Sequence, residues 1–265
     1  MSKSKYCIFK RVFLGLFVFV LLAEGAFAGK IDYEIIDFCM ICRNGSLQQV
    51  VEAIKKVKNV DAESGLKITP LMWAAGYNTD PEVITALINA GADVNARDIF
   101  GKTPLMFAAA SNSNPEVITP LVRAGADVNA KDSGGITLLW WAIHKNPNLE
   151  MITALAKAGV DVNAKNENGY TPLMSSVING SNPELITTLV RAGADVNAQE
   201  GLTKSSPLIL AAENKTNPEV ITLLLELGAD PKLKDYFDNM AVYYARKNEK
   251  LKNTEALRRL EEASK

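Results

Sequence analysis

The sequence predicts an all-α repeat solenoid of about seven helix–turn–helix units, each closed by a hairpin-like turn. Three observations carry that expectation. The phrase Gly-Ala-Asp-Val-Asn-Ala stands at 91–96, 125–130 and 193–198, as Gly-Val-Asp-Val-Asn-Ala at 159–164 and as Gly-Ala-Asp-Pro at 228–231, in steps of 34, 34, 34 and 35 residues. A second phrase keeps the same step: Thr-Pro-Leu-Met at 69–72, 103–106 and 171–174, Thr-Leu-Leu-Trp at 137–140, Ser-Pro-Leu-Ile at 206–209 and a worn Met-Ala-Val-Tyr at 240–243. Between them, Asp80-Pro81, Asn114-Pro115, Asn182-Pro183 and Asn217-Pro218 supply a second start signal per unit. A unit of this length cannot bury its apolar stripe alone, so neighbours must stack into one continuous core.

Taken from the N-terminus, residues 1–28 read as a secretory signal peptide. Lys3, Lys5, Lys10 and Arg11 precede an apolar run from Val12 to Ala23, and Ala26-Phe27-Ala28 forms an A-x-A cleavage site. The run is shorter than the ~20 residues of a bilayer span. Cleavage after Ala28 leaves 25 Lys+Arg against 29 Asp+Glu, a net charge of −4. This segment predicts export to the periplasm or the exterior, with membrane association only if it stays uncleaved.

Residues 29–265 then form a single domain: an N-terminal capping repeat over 31–64, central repeats over 65–235 and a C-terminal capping repeat over 236–265. In the first, Gly45-Ser46-Leu47 separates two helices. In the central units, Pro70, Pro104, Pro172 and Pro207 follow a Thr or Ser cap and open a short first helix. Glu82, Glu116, Glu184 and Glu219 suit the positive end of the second. Val83, Ile84, Leu87 and Ile88 are spaced as a helical stripe. Pro147 falls earlier relative to Glu150, so the loop of that unit must take another path. Gly91, Gly125, Gly159, Gly193 and Gly228 stand where a left-handed helix stop needs glycine. The following dozen residues contain Gly101, Gly135, Gly169 or Gly201 and suit an extended turn. At the end, Lys247, Lys250, Lys252, Arg258 and Arg259 mark a charged outer surface, as a terminal repeat needs to stay soluble.

Thr-Pro-Leu-x-x-Ala-Ala, a second helix and Gly-Ala-Asp-Val-Asn-Ala at this step resemble the ankyrin repeat, over most of the chain after residue 28. The histidine usual after Thr-Pro-Leu in that family is Met72, Met106, Trp140 and Met174 here, which suggests thioether packing in place of a polar bridge.

Composition excludes several functions. With 48% hydrophobic residues, 22% charged and a mean hydropathy of +0.02, the chain is neither disordered nor polytopic. A net charge of −1 and an isoelectric point near 6.0 lack the basic footprint of nucleic-acid binding. One histidine, His144, and three cysteines provide no His-rich metal site and no disulfide framework, and no motif implies a cofactor. Asp93, Asp127, Asp161, Asp195 and Asp230 hold the same place in each unit and read as turn scaffold rather than catalysts. His144 lies in no nucleophile motif and reads as a contact-surface or interhelical residue. Cys39 and Cys42, one helical turn apart, are read as buried free thiols or as a structural disulfide; a redox role would want a βαβ context, and none is present. Trp73, Phe107, Trp141 and Leu210 recur at one position of the first helix, where core packing and an exposed aromatic stripe are both open.

The resemblance implies a non-catalytic, monomeric scaffold that binds a protein through its turn tips and concave face. Carried over by position, the tips offer Ile99, Phe100, Lys102, Ile136, Glu167, Tyr170, Leu202, Tyr236 and Phe237, and the helix ends Arg43, Tyr77, His144, Lys145 and Asn179. Phe100, Tyr170, Tyr236 and Phe237 are the expected anchors, being aromatic where a plain turn is polar. The alternatives are a structural component of the cell envelope and a redox protein using Cys39 and Cys42.

Overall fold

The structure, a computed structural model, describes residues 33–180, 182–214 and 217–265. The signal-peptide segment, 1–28, lies outside the described residues. Among the described residues, fourteen α-helices alternate between an inner and an outer row. The inner row is α1 (Tyr33–Asn44), α3 (Pro70–Tyr77), α5 (Pro104–Ser111), α7 (Leu138–Lys145), α9 (Pro172–Ile178), α11 (Pro207–Glu213) and α13 (Ala241–Lys247). The outer row is α2 (Leu47–Ile54), α4 (Pro81–Asn89), α6 (Ile118–Arg123), α8 (Leu149–Lys157), α10 (Pro183–Arg191), α12 (Pro218–Glu226) and α14 (Glu255–Ala263). Seven helix pairs, repeats 1 to 7, stack with inner against inner and outer against outer.

The start signals act as read. Thr69, Thr103, Thr137, Thr171 and Ser206 each accept a hydrogen bond from the backbone three residues on. Asp80, Asn148, Asn182 and Asn217 cap the outer helices. In repeats 2 and 5 the methionine that replaces the family histidine returns the favour: the Met72 and Met174 sulfurs accept from the Thr69 and Thr171 N–H groups at 3.4 Å. Pro120 makes the third outer helix irregular. It has no N–H for the i−4 carbonyl, so 115–117 winds as a 3₁₀ turn and the α-helix begins at Ile118.

The outer segments of repeats 2 to 6 each bury three apolar side chains at i, i+1 and i+4, such as Val83, Ile84 and Leu87 or Met151, Ile152 and Leu155. One hydrophobic cluster runs from Phe38 in repeat 1 to Leu260 in repeat 7. At ~1.5–3 kcal/mol per fully buried large apolar side chain, this stacking rather than helix propensity holds helices of six to twelve residues in place.

Candidate functional site

The turn tips are built by one acceptor each. Asp98 Oδ1 accepts from the Phe100 and Lys102 N–H groups at 2.9 and 2.8 Å. Asp132, Asn166 and Asp235 do the same in repeats 4, 5 and 7, reaching the second and fourth residues on. The tip before α11 is one residue longer, and there Glu200 replaces Asp, its extra methylene letting it bond the Leu202, Thr203 and Ser205 N–H groups. Burial alone would push the Glu200 carboxyl up, but these bonds and the Thr203 hydroxyl outweigh it and hold it below its ordinary value. Buried Asp98 is shifted up, chiefly by desolvation.

Neighbouring tips touch through the backbone. The Ile99 N–H donates to Leu66 O, Ser133 to Phe100 and Tyr236 to Thr203, at 2.7–3.1 Å. At Gly101, φ is 76° and a Cβ would stand 2.7 Å from the Ser133 nitrogen, so only glycine fits. Gly201, grouped with it by sequence, is not its counterpart. Lys204 and Asp238 take the left-handed position in repeats 6 and 7, with φ of 56° and 64°.

Two asparagine ladders lock the stack behind the tips. Asn95, Asn129, Asn163 and Asn197 each accept with Oδ1 from the N–H of the aspartate one repeat on, at 2.8–2.9 Å. Those aspartates accept from the residue two positions ahead, the local turn bond of scaffold residues. At the inner-helix ends, Asn78 Nδ2 donates to Cys42 O and Gly45 O, and Asn112 Nδ2 to Ala75 O and Asn78 O. Asn146 donates to Asn112 O, and Asn248 to Ala212 O and Asn214 O. The second ladder escaped the sequence reading, although Asn78, Asn112 and Asn146 recur at the 34-residue step.

Of the expected contact residues, Ile99 and Phe100 are about half exposed, Tyr236 and Phe237 about two-thirds, Leu202 79%, and Tyr77 42%. Glu167 and Lys145 are exposed; Ile136 is half-buried. Tyr170 is no free anchor: it is half-buried and packs on the core. His144 stacks on Trp140 with ring centroids 3.8 Å apart, and its Nδ1 faces Trp140 O at 3.0 Å. A carbonyl only accepts, so Nδ1 carries the proton and Nε2 accepts from Asn179 Nδ2 at 2.7 Å. The ring is thus an interhelical tie.

Leu210 is core, while Trp73, Phe107 and Trp141 are only half-buried. With Tyr77 they leave an aromatic stripe on the inner face of α3, α5 and α7. The Trp73 and Trp141 indoles donate to Ser64 Oγ and Asp132 Oδ2, fixing their rings to the tips. Arg43 lies over Tyr77 and Trp73, 4.3 and 5.4 Å from the centroids, and Lys102 Nζ lies 3.8 Å over Trp141.

The disulfide alternative is not realised: Cys39 and Cys42 are free and buried. Burial pushes the Cys39 thiol up to about 12, and burial followed by its neighbour Cys39 pushes Cys42 higher still. Neither is the thiolate that redox exchange requires. Among the described residues no cluster of three His, Cys, Asp or Glu could hold a metal ion, and no helix is long and apolar enough to cross a membrane. A groove of about 740 Å³ lies between outer helices α4 and α6, lined by Glu82, Thr85, Glu116 and Arg123, away from the tips.

Helix pairs in register, tips braced by one acceptor and ladders at a constant step define a repeat protein whose accessible feature is surface. The chain belongs to the ankyrin-repeat family: the family model for ankyrin repeats in three copies matches residues 38–132, 108–200 and 139–235. It is similar to the ankyrin repeat domain of Bcl-3, described as a unique member of the IκB protein family, at 25% identity and TM-score 0.70 over 85% of this chain and 97% of that one. The human ASB11 ankyrin repeat domain has the same fold, at 23% identity and TM-score 0.68 over 84% and 96% of the two chains. No curated protein matches the sequence. Ankyrin-repeat domains are typically non-catalytic modules that bind other proteins through their extended stacked surface.

Proposed function

We propose that this chain is an exported, monomeric ankyrin-repeat scaffold that binds a protein partner through its turn tips and inner-helix face, without bond chemistry. The carrying observation is the exposure of Ile99, Phe100, Leu202, Tyr236 and Phe237 on tips whose backbone is fully braced. Apolar side chains held rigidly in solvent lose little freedom on binding. Export rests on the charged, apolar and small-residue regions of 1–28, with cleavage after Ala28 and a periplasmic or secreted product.

The test is affinity capture from envelope and secreted fractions with the tagged chain and with a Phe100→Ser, Tyr236→Ser, Phe237→Ser variant, after circular dichroism shows both folded. One protein retained by the native form and lost with the variant is the expected result. Equal retention by both removes the tips from the site. N-terminal sequencing of the exported protein should begin at Gly29; an intact Met1 start refutes cleavage.

A further inference from the structure

Arg43 and Lys102 are the two cations stacked over the aromatic stripe of repeats 2 to 4, and neither forms an ion pair among the described residues. The ion pairs that do form lie on the exposed surface of repeat 1 and in repeats 6 and 7, away from this stripe. Arg43 Nε is also buried without a hydrogen-bond partner, an unfavourable state for a charged donor. Helices α3, α5 and α7 contain no Asp or Glu; the tip carboxylates beside the stripe are Asp132, which accepts from the Trp141 indole, and Asp98, which accepts from the Phe100 and Lys102 N–H groups and attracts the Lys102 charge without forming an ion pair with it. The face thus presents two cations outside any ion pair, each on aromatic rings, with Phe107 on the helix between them.

Resting on the reading of the inner-helix face as a protein-binding surface, we infer that this part of it takes an extended, acidic segment of the partner. One carboxylate meets the Arg43 guanidinium, an apolar side chain covers Phe107, and a second carboxylate meets Lys102. Turning the Arg43 fork onto a carboxylate gives Nε the acceptor it lacks, in the bidentate geometry that suits guanidinium. The spacing follows from the stack. Adjacent packed helices lie ~8–10 Å apart, so Trp73 and Trp141, two steps apart, are separated by roughly 20 Å. An extended chain rising ~3.3 Å per residue covers that in about six residues. The segment therefore carries two Asp or Glu about five to seven positions apart with an apolar residue between. The chain's own N-terminal segment is excluded as occupant by Lys3, Lys5, Lys10 and Arg11, which the face repels.

A random dodecapeptide library displayed on phage and selected on the immobilised full-length protein tests this, followed by anisotropy titration of the enriched peptides. Enriched sequences should share the acidic pair and central apolar residue. Replacing both acids by Asn or Gln should weaken binding at least tenfold, and added salt should weaken it further. Arg43→Gln and Lys102→Gln should each cost at least fivefold with unchanged melting temperature, and Lys102→Arg should restore affinity; Lys102 sits on a tip, so its variants report even if Arg43→Gln destabilises repeat 1. Enrichment of neutral or basic peptides, binding indifferent to both cation variants, or no enrichment at all overturns the inference. Peptides that ignore Arg43 and Lys102 but are lost with the Phe100, Tyr236 and Phe237 variant leave the tip site standing. Acidic peptides that need Arg43 and Lys102, combined with unaltered capture by the tip variant, would retain this site and discard the tips.

Discussion

Repeats 1 to 4 and repeats 4 to 6 are joined in different ways. In the first set, Asn78 and Asn112 each tie an inner helix to two carbonyls of the one before, and Asn146 carries the tie on to Asn112 O. The helices so joined carry Ala74, Ala75, Gly76, Ala108 and Ala109 and are closely apposed. In the second set the ladder position falls on Gly180, which has no side chain. The exposed Asn179 reaches the His144 ring instead, and α7 and α9 are the least closely apposed adjacent inner helices. The next tip is the lengthened one held by Glu200. A buried amide that satisfies two orphaned helix-end carbonyls couples repeats through groups that have no other partner. An exposed side-chain pair couples them through groups that water can also satisfy. The tandem architecture is therefore uniform in shape but not in local stability.

The largest effect should come from breaking the first kind of joint. Asn112→Ala strips two buried carbonyls and the Asn114 N–H of their partner and should cost about 2–4 kcal/mol, read as a lowered urea midpoint with faster amide exchange in α3 and α5. Next comes Glu200→Gln, which keeps the length and removes the charge; it should cost about 1–2 kcal/mol at pH 7. Because the folded Glu200 carboxyl lies below its ordinary value, its stabilisation is complete above the unfolded value and is lost as pH falls through the folded one. The melting-temperature gap between wild type and variant should accordingly close on acidification; a gap constant to pH 3 would show that charge is not what Glu200 contributes. Smallest should be Asn179→Ala, below about 1 kcal/mol because the contact is exposed. Its signature is local: faster exchange at the C-terminal end of α9 without change in α3 to α5. If it matched Asn112→Ala in cost, the distinction between the two kinds of joint would fail.

Most of the fold was legible because each unit announces its own boundaries. Thr-Pro, Asn-Pro and the stop glycines are local devices, and repetition turns a weak local signal into a strong one. The tip residues were placed by position, and six of them, Ile99, Phe100, Glu167, Leu202, Tyr236 and Phe237, are exposed. Tyr170 was misjudged because its exposure depends on how the neighbouring repeat packs, which its own turn does not reveal. The cation stacking was hidden for the same reason: Arg43 meets Tyr77 and Lys102 meets Trp141 only after 34 and 39 residues of intervening chain are folded. Pro120 and Glu200 were readable in principle. One sits inside a helical stripe, and the other is the single Glu among Asp and Asn at an otherwise constant position, in the one unit that is a residue too long.

That coincidence at Glu200 bears on how such a chain can diversify. An inserted residue is absorbed within the tip by one added methylene, and the Asn163 and Asn197 rungs on either side keep the same geometry as their neighbours. Tip length and stacking register are separable traits in this molecule. New recognition loops can arise by insertion where a longer acceptor side chain stands ready, with no re-indexing of the helices beneath.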